Sequence, residues 1–483
     1  MEKSNSNVKQ KTFSNLVWRF AERCGAQAVS FVVSIVLARL LDPEVYGTIA
    51  IVTIFTTILN VFVDSGLGTA LIQKKDADDL DFSTVFYANI VFCLILYALI
   101  FTAAPFIASF YGESILTPVI RVLSLTVVIS GIKNVQIAYV SKHLMFKKFF
   151  WSTLGGTIGA AVFGIYMAYT GYGVWALVAQ QVFNTLVDTV ILWITVKWRP
   201  KWMFSFHRFK ALFSYGWKLL VSSLINTVYN DIRQLIIGKV YSSSDLAYYN
   251  RGKQFPNLIV ANINSSIDSV LLPIMSESQD NKARVKDMTR RAISISSYIM
   301  WPLMFGLMAV GEPIIKILLT DKWLPSFPYL CVFCFVCGLM PIQTANLNAI
   351  NAMGRSDLYL KMEIIKKSVG LLLVLLSMNI SVLAMALSSV VYSVFTSVVN
   401  SFPNKKLLGY SYFDQIKDIL PSMTLALVMA VVVYLIPNII NIYVTLVIKV
   451  TVGVIIYIAG SVIFKNKNFA YLKDLLMNFL KHR

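Results

Sequence analysis

The stretch FSYGWKLLVSSLINTVYNDIRQLIIGK, from Phe213 to Lys239, decides how the rest of the chain is interpreted. At about 1.5 Å of rise per residue it can cross a hydrocarbon core of about 30 Å. A helix at about 100° per residue gathers five polar side chains on one face: Lys218, Ser222, Asn226, Tyr229 and Arg233. Because an intramembrane cation is costly unless it faces a bundle interior or a water-filled cavity, we expect this face to line a hydrated cavity that receives an anion.

The amino-terminal region repeats this design. The segment Phe13–Arg39 has the same length, and its polar positions also cluster on one face: Arg19, Arg23, Ser30 and Ser34. In the span that follows each copy, Asn60 precedes Asp64 by the same spacing at which Asn264 precedes Asp268. The two copies predict a duplicated helical bundle, and a parallel repeat of this kind places a substrate site between its halves.

The composition is that of a polytopic membrane protein. The chain has 483 residues, of which 57% are hydrophobic and only 14% charged, and its mean hydropathy is +0.68. No hydrophilic block is long enough to form a soluble domain. The net charge of +19 is concentrated in the loops and terminal segments assigned to one side of the membrane. By the positive-inside rule that side is cytoplasmic, so the charge orients the protein and requires no nucleic acid as a partner.

Apolar windows bounded by charged or Pro/Gly segments predict an all-α protein with about fourteen transmembrane helices. The first is expected to be an uncleaved helix, because no small-residue cleavage site follows it. An even number of spans places both termini in the cytoplasm. The predicted organisation is an amino-terminal six-helix lobe (1–197), a cytoplasmic interfacial linker (198–211), a second six-helix lobe (212–404), two additional helices (405–465) and an amphipathic cytoplasmic tail (466–483).

Acidic residues in or near the spans have several interpretations. Glu22 lies within one turn of Arg19 and Arg23 and is interpreted as their counter-ion. Asp231 falls off the polar face of its helix, so it is expected to pair with a neighbouring span. Each of these acids is alternatively a site for a coupling proton or sodium ion. The repeated Asp64 and Asp268 are expected to cap or brace the inner ends of their helices and are further counter-ion or coupling candidates.

Two cytoplasmic segments have a plain and a more specific interpretation. The linker interleaves Trp198, Trp202, Phe204 and Phe206 with Lys and Arg, which beside membrane spans favours pinning to lipid headgroups over binding single-stranded nucleic acid. The acidic run from Asp76 to Asp81 resembles the Asp-x-Asp metal sites of nucleotide-sugar transferases. Without a nucleotide-binding domain, a solvated loop is the expected structure.

Nothing in the sequence predicts catalysis, a metal site or a cofactor. The three cysteines from Cys331 to Cys337 lie in an apolar span and lack a nearby fourth, and the three histidines are widely scattered. No phosphate-binding loop of the GxxxxGK[ST] type occurs. Any transport must therefore draw on an ion gradient, on the membrane potential or on the concentration difference of the substrate.

Four motifs carry a resemblance to a known family. LARLLDPEVYG follows the first span, VDSGLGTALIQ the second and AYVSKHLMFKK the fourth, while ILLTDKWLPSFPYL precedes the tenth. In this order they resemble the polysaccharide transporter family of Wzx-type flippases, in the multidrug/oligosaccharidyl-lipid/polysaccharide (MOP) exporter superfamily, near its colanic-acid and teichuronic-acid exporters. The resemblance covers nearly the whole chain.

The resemblance implies two six-helix lobes in a V shape, a site in the bacterial cytoplasmic membrane and export for lipopolysaccharide or exopolysaccharide biosynthesis. The implied substrate is an undecaprenyl-diphosphate-linked oligosaccharide, moved from the inner to the outer leaflet by alternating access, with a polysaccharide polymerase and chain-length machinery as candidate partners. Two alternatives stay open. A multidrug antiporter of the same superfamily should line its cavity with acids and aromatics, and a membrane-embedded glycosyltransferase or polymerase should carry a large soluble domain or a long outer loop with catalytic carboxylates.

Overall fold

The computed structural model describes the backbone of residues 2–64, 66–437 and 441–481. Within these ranges, side chains are described except at residues 2–17, 19, 20, 23, 265, 266, 269, 475, 476 and 479–481.

All regular structure in the described ranges is helical. The first unit holds α1 (Glu2–Leu40), α2 (Pro43–Asp64), α3 (Leu67–Gln73), α4 (Asp79–Tyr111), α5 (Leu116–Leu123), α6 (Leu125–Lys142), α7 (Lys147–Tyr169), α8 (Val174–Thr195) and α9 (Phe206–Val240). These are followed by α10 (Ser243–Glu277), α11 (Lys282–Leu319), a 3-10 turn (Asp321–Ser326), α12 (Phe327–Gly338), α13 (Met340–Ala352), α14 (Ser356–Ser377), α15 (Val382–Leu408), α16 (Tyr412–Leu435), α17 (Ile442–Ile463) and α18 (Lys467–Lys481).

Ten segments of the described chain are long and apolar enough to cross a membrane. They are Pro43–Gln73, Asp79–Tyr111, Leu116–Lys142, Lys147–Tyr169, Val174–Thr195, Lys282–Leu319, Asp321–Ala352, Val382–Leu408, Tyr412–Leu435 and Ile442–Ile463. The other spans predicted from the sequence coincide with α1, α9, α10 and α14, which are long helices that carry more charge. The prediction of an all-α membrane protein is confirmed.

Contacts divide the chain into two compact units, Met1–Ala247 and Tyr248–Arg483. In the first unit α7 packs against α8 and α1, and α9 packs against α2, α3 and α4. In the second unit α11 packs against α12 and α16, and α14 packs against α15. The predicted division into two six-helix lobes, a linker, two added helices and a tail stays a prediction.

Each unit contains a span that is divided into two consecutive helices. Ser124 separates α5 from α6, and Leu339 separates α12 from α13. Pro118 precedes Leu144 by the same number of residues as Pro328 precedes Gly354. Leu144 and Gly354 both adopt the left-handed region, with φ of 54° and 68°, a conformation that glycine adopts far more readily than leucine. The two units thus share a left-handed backbone position, although the residue there is leucine in the first unit and glycine in the second.

The acidic run and the linker form one folded structure in the first unit. Asp81 is fully buried, with Lys74 Nζ 2.6 Å and Arg208 Nη1 3.2 Å from its Oδ2. The backbone N–H of Asp81 donates to Asp78, and this hydrogen bond lowers the pKa of Asp78. The expectation of a solvated loop is wrong for Asp81, because cations distant in sequence enclose its carboxylate and offset the cost of burying it.

One part of the linker is buried in the protein, and another part is exposed. Trp198 is 7% exposed and its indole donates to Asp79 Oδ1 at 3.1 Å. Trp202 is 98% exposed and stacks on Tyr87 with ring centroids 5.9 Å apart. The exposed part retains the aromatic character expected of a headgroup-level segment, while the buried part fixes the start of α9.

In the second unit, α15 buries a polar stripe whose members recur at every turn: Ser388, Ser389, Ser393, Thr396, Ser397, Asn400, Ser401 and Asn404. The Ser401 hydroxyl lies 2.7 Å from the Ser397 carbonyl oxygen and 2.9 Å from Gln415 Oε1, the two acceptors available to its single proton. Asn346 on α13 donates to the same Gln415 oxygen at 2.7 Å. This neutral network joins α13, α15 and α16 inside the unit.

Candidate functional site

Helix α9 presents its predicted polar face without burying it. The helix is capped by Ser205, whose hydroxyl accepts the Arg208 N–H at 3.4 Å. Its buried residues are Leu212, Gly216, Ile237 and Gly238, all towards its ends. Lys218, Ser222 and Asn226 are exposed, while Tyr229 and Arg233 are half-buried. The face therefore remains accessible in the folded chain, as a hydrated binding surface requires.

A close backbone contact positions the start of this face. A Cβ added at Gly216 would lie 2.7 Å from the carbonyl carbon of Gly66 and 2.8 Å from its oxygen. Gly66 immediately precedes α3, and Lys218 follows Gly216 by two residues. Because only a residue without Cβ tolerates this approach, the contact fixes where α9 crosses α3 and hence where Lys218 begins the face.

The acid on α9 is engaged within its own helix. Asp231 Oδ1 accepts a hydrogen bond from Gln234 Nε2 at 2.9 Å. The pairing of Asp231 with a neighbouring span, and its alternative role in ion coupling, stay predictions.

The side chains of Arg19 and Arg23, the predicted cations of α1, lie outside the described residues. Glu22 is described: its side chain is 9% exposed, and its Oε1 accepts from Thr153 Oγ1 of α7 at 3.2 Å. This bond joins α1 to α7. The counter-ion role of Glu22 stays a prediction.

The repeated aspartates each meet an asparagine from the broken span of their own unit. Asn134 Nδ2 donates to Asp64 Oδ1 at 3.1 Å and to the Val63 carbonyl at 2.7 Å, at the end of α2. Asn348 Nδ2 donates to Asp268 Oδ1 at 2.7 Å. The roles of Asp64 and Asp268 in bracing their helices, as counter-ions or in ion coupling stay predictions.

The sequence missed an ion pair between two spans. Lys133 Nζ on α6 lies 2.8 Å from Asp188 Oδ2 on α8, and their side chains are 17% and 16% exposed. Neither residue belongs to a polar face that is predicted from the sequence. The available signal was the lone acid of α8 together with a cation in the interior of α6, since isolated opposite charges within spans tend to pair.

The residues whose side chains are described hold no group of three His, Cys, Asp or Glu close enough to bind a metal ion. No metal centre is assigned.

Comparison with known proteins gives the family. A family model described as polysaccharide biosynthesis protein matches residues 36–328, more than half of the chain. The chain belongs to this family. It is a polysaccharide biosynthesis transport protein of the Wzx-like exporter family, as the sequence motifs predicted.

Two of the relatives of the exporter illustrate its similarity to named proteins. The chain is 28% identical over 362 residues to the teichuronic acid biosynthesis protein TuaB of Bacillus subtilis (strain 168), an alignment that covers 74% of this chain and 73% of TuaB. It is 21% identical over 438 residues to the lipopolysaccharide biosynthesis protein WzxC of Escherichia coli (strain K12), covering 89% and 88% of the two chains. Since this is a family of transporters and not of enzymes, the glycosyltransferase or polymerase alternative is not supported.

Solved structures show the fold of the exporter. The lipid II flippase MurJ in an inward closed conformation matches with a TM-score of 0.74 at 16% identity, over 93% of this chain and 98% of MurJ. An inward-facing MATE multidrug transporter of the MOP superfamily matches with a TM-score of 0.61 at 13% identity, over 80% and 94%. The fold is therefore MurJ-like and MATE-like.

Proposed function

We propose that this exporter is a flippase that moves undecaprenyl-diphosphate-linked oligosaccharide units from the inner to the outer leaflet of the bacterial cytoplasmic membrane. Movement proceeds by alternating access, for surface polysaccharide biosynthesis. The observation that carries the proposal is the accessible face of α9, on which Lys218 and Arg233 lie within a helix long enough to span the bilayer.

The chemistry of this face fits a phosphorylated, glycosylated passenger. A diphosphate leaving water loses favourable hydration, and charge-assisted hydrogen bonds from lysine and arginine offset that loss. In this proposal Lys218 and Arg233 contact the diphosphate together with Arg19 and Arg23 of the first copy. Ser222, Asn226 and Tyr229 bind sugar hydroxyls. The isoprenoid tail stays in the bilayer, because burying it in a polar cavity would gain nothing.

The same proposal fixes the topology and the partners. Adding α1, α9, α10 and α14 to the ten apolar segments gives the fourteen-span arrangement, with both termini in the cytoplasm and a pair of six-helix lobes. The polymerase and chain-length machinery act on the delivered unit at the outer face. The protein itself carries no cofactor, and its energy comes from a proton or sodium gradient or from the substrate gradient.

The decisive experiment is reconstitution into vesicles with a fluorescent undecaprenyl-diphosphate-linked oligosaccharide in one leaflet. Protein-dependent loss of the fluorophore to a membrane-impermeant quencher added on the other side measures flipping. We expect flipping of the lipid-linked sugar and no transport of a cationic dye. Dye transport without flipping would contradict the proposal and favour the multidrug antiporter.

A further inference from the structure

The exposed side of helix α2 is polar. All residues of α2 are described, and the exposed ones are Glu44, Thr57 and Asp64. None of the large hydrophobic side chains of α2 is exposed. Helix α4, by contrast, exposes Leu99 at 59% and Phe106 at 77%, as a helix in contact with hydrocarbon does. Since polar side chains within a span face a bundle interior or a water-filled cavity, the exposed side of α2 borders a hydrated space.

Three polar residues of α2 form one row. At about 100° per residue, Thr57, Asn60 and Asp64 lie within about 60° of one another, and they cover about 10 Å along the helix axis. Asn60 is half-buried, and its Oδ1 is buried without a hydrogen-bond partner among the described residues. Asp64 is exposed, and its Oδ1 accepts from Asn134 Nδ2 at 3.1 Å. This α2 row (Thr57, Asn60, Asp64) therefore presents mainly acceptor oxygens.

The unsatisfied oxygen recurs in the second unit. Asn264 of α10 has the spacing to Asp268 that Asn60 has to Asp64, and its Oδ1 is likewise buried without a partner in the described part of the chain. An amide oxygen that loses water and gains no donor costs free energy. Its occurrence at equivalent positions of both units indicates that each oxygen accepts from a donor that is not part of the chain.

The α2 row ends beside the cationic face of α9. The backbones of Gly66 and Gly216 are in contact, since a Cβ added at Gly216 would lie 2.7 Å from the Gly66 carbonyl carbon. Asp64 precedes Gly66 by two residues, and Lys218 follows Gly216 by two. A ligand held at Lys218 therefore lies close to the α2 row.

We propose that Thr57, Asn60 and Asp64 recognise the sugars of the passenger and determine which lipid-linked oligosaccharides the exporter prefers. The inference rests on the proposed function and divides the work between two helices: α9 binds the diphosphate, and α2 binds the sugars attached to it. Each sugar hydroxyl donates one proton, and carboxylate, amide and hydroxyl oxygens accept it. A site built to hydrogen-bond a hydroxyl discriminates strongly against an analogue that lacks it, because the buried polar group is then left unpaired.

The test compares two lipids as competitors. Flipping of the fluorescent lipid-linked oligosaccharide in vesicles is inhibited by the host's own lipid-linked repeat unit, purified from cells that lack the exporter, or by undecaprenyl diphosphate without sugar. The ratio of the two half-inhibitory concentrations is the sugar preference. We expect the wild type to prefer the glycosylated lipid at least tenfold, because the sugar-free lipid leaves the acceptors of the α2 row unpaired.

Substitutions in the α2 row should lower the sugar preference and leave the affinity for the sugar-free lipid unchanged. Asp64→Ala should lower the preference about tenfold and Thr57→Val about threefold, as expected for one lost hydrogen bond to a charged and to a neutral group. Asp64→Asn keeps an acceptor oxygen and should retain more of the preference than Asp64→Ala. Lys218→Ala should weaken both competitors equally, because both carry the diphosphate.

Two further variants keep the test decisive. Thr57→Val is nearly isosteric, so it tests the α2 row even if Asp64→Ala fails to fold. Thr102→Val makes the same change at an exposed position of α4 and should keep the wild-type preference. An unchanged preference in Thr57→Val and Asp64→Ala, or no preference in the wild type, overturns the sugar-recognition role and leaves the flippase intact.

Failure of the proposed function gives a different result. If the wild type flips no lipid, the proposed function is overturned, and the rise in thermal midpoint on adding each lipid decides whether the α2 row binds sugar. A larger rise with the glycosylated lipid that is lost in Thr57→Val supports sugar recognition. Equal rises with the two lipids overturn it.

Discussion

Helices α9 and α15 carry polar stripes of similar make-up, and the fold treats them in opposite ways. On α9 the stripe combines Ser222 and Asn226 with two cations and remains exposed or half-buried. On α15 the stripe is neutral and faces the interior, while apolar residues such as Phe402, 67% exposed, lie on the outside.

The difference lies in what each group needs when water is removed. The hydroxyls of Ser397 and Ser401 on α15 bond to carbonyls of their own helix and to the amide of Gln415 on α16, so they can be buried at little cost. Hydrogen bonds within the same helix do not neutralise the charge of an ammonium or guanidinium group. Such a group therefore keeps its water or pairs with an anion. Charge, more than polarity, therefore distinguishes the stripe of α9, which stays exposed or half-buried, from the stripe of α15, which is buried.

The largest effect should follow removal of a cation from α9. Lys218→Ala and Arg233→Ala should each reduce export of lipid-linked units by roughly tenfold to a hundredfold, the value of a lost charge-assisted hydrogen bond of about 1.5–3 kcal/mol. Flipping in vesicles measures this directly. Lys210→Ala removes a cation from the same helix but off the polar face, and should leave flipping unchanged. Normal flipping in both substituted proteins would exclude α9 from substrate binding.

The neutral network should respond in stability instead. Asn346→Leu removes a side chain that donates to Gln415 and accepts from Asn404. Leaving those buried partners unsatisfied should cost about 2 kcal/mol, seen as a lower thermal midpoint in detergent. Val398→Ala, on the exposed side of α15, is the control and should change the midpoint far less. An unchanged thermal midpoint for Asn346→Leu would mean that the former partners of Asn346 rearrange to form other hydrogen bonds, so that the network is not rigid.

A single methyl group should disturb the placement of α9. Gly216→Ala puts a Cβ within 3 Å of the Gly66 carbonyl, and overpacking of this kind costs about 1–3 kcal/mol. We expect both a lower thermal midpoint and slower flipping, because Lys218 moves with the helix. Gly25→Ala is the matched control, since its Cβ would meet only Leu154 Cδ1 at 3.6 Å. Equal thermal midpoints and flipping rates in the two variants would mean that the contact between Gly216 and Gly66 plays no part in the mechanism.

The smallest effect is expected when one hydroxyl is removed from each stripe. Ser401→Ala should lower stability by about 1 kcal/mol, the usual net value of a buried hydrogen bond, while Ser222→Ala on the exposed face should not change the thermal midpoint. The opposite order would mean that α9, not α15, is the packed helix.

Much of the fold could be predicted from the sequence, because the hydrophobicity of each segment identifies the membrane spans. The polar face of α9 follows from helical periodicity alone, and the repeated Asp64 and Asp268 follow from spacing. Their asparagine partners could not be predicted, since Asn134 and Asn348 reach them from spans far along the chain.

The charged contacts were the least predictable part. Asp81 lies in a run of acids that is typical of a solvated loop, and only the fold brings Arg208 to it. Lys133 and Asp188 are separate exceptions in two apolar spans, and their pairing depends on how α6 meets α8. Local patterns indicate which residues are costly to bury, but the partner that offsets the cost is a property of the tertiary structure.

The contact between Gly216 and Gly66 bears on how the protein is made. Helix α9 packs against helices that the ribosome has already released, and the first compact unit ends at Ala247. A nascent chain can therefore complete this unit before most of the second has been synthesised. Dividing the gene at the linker would separate α9 from α2, α3 and α4, the helices it packs against.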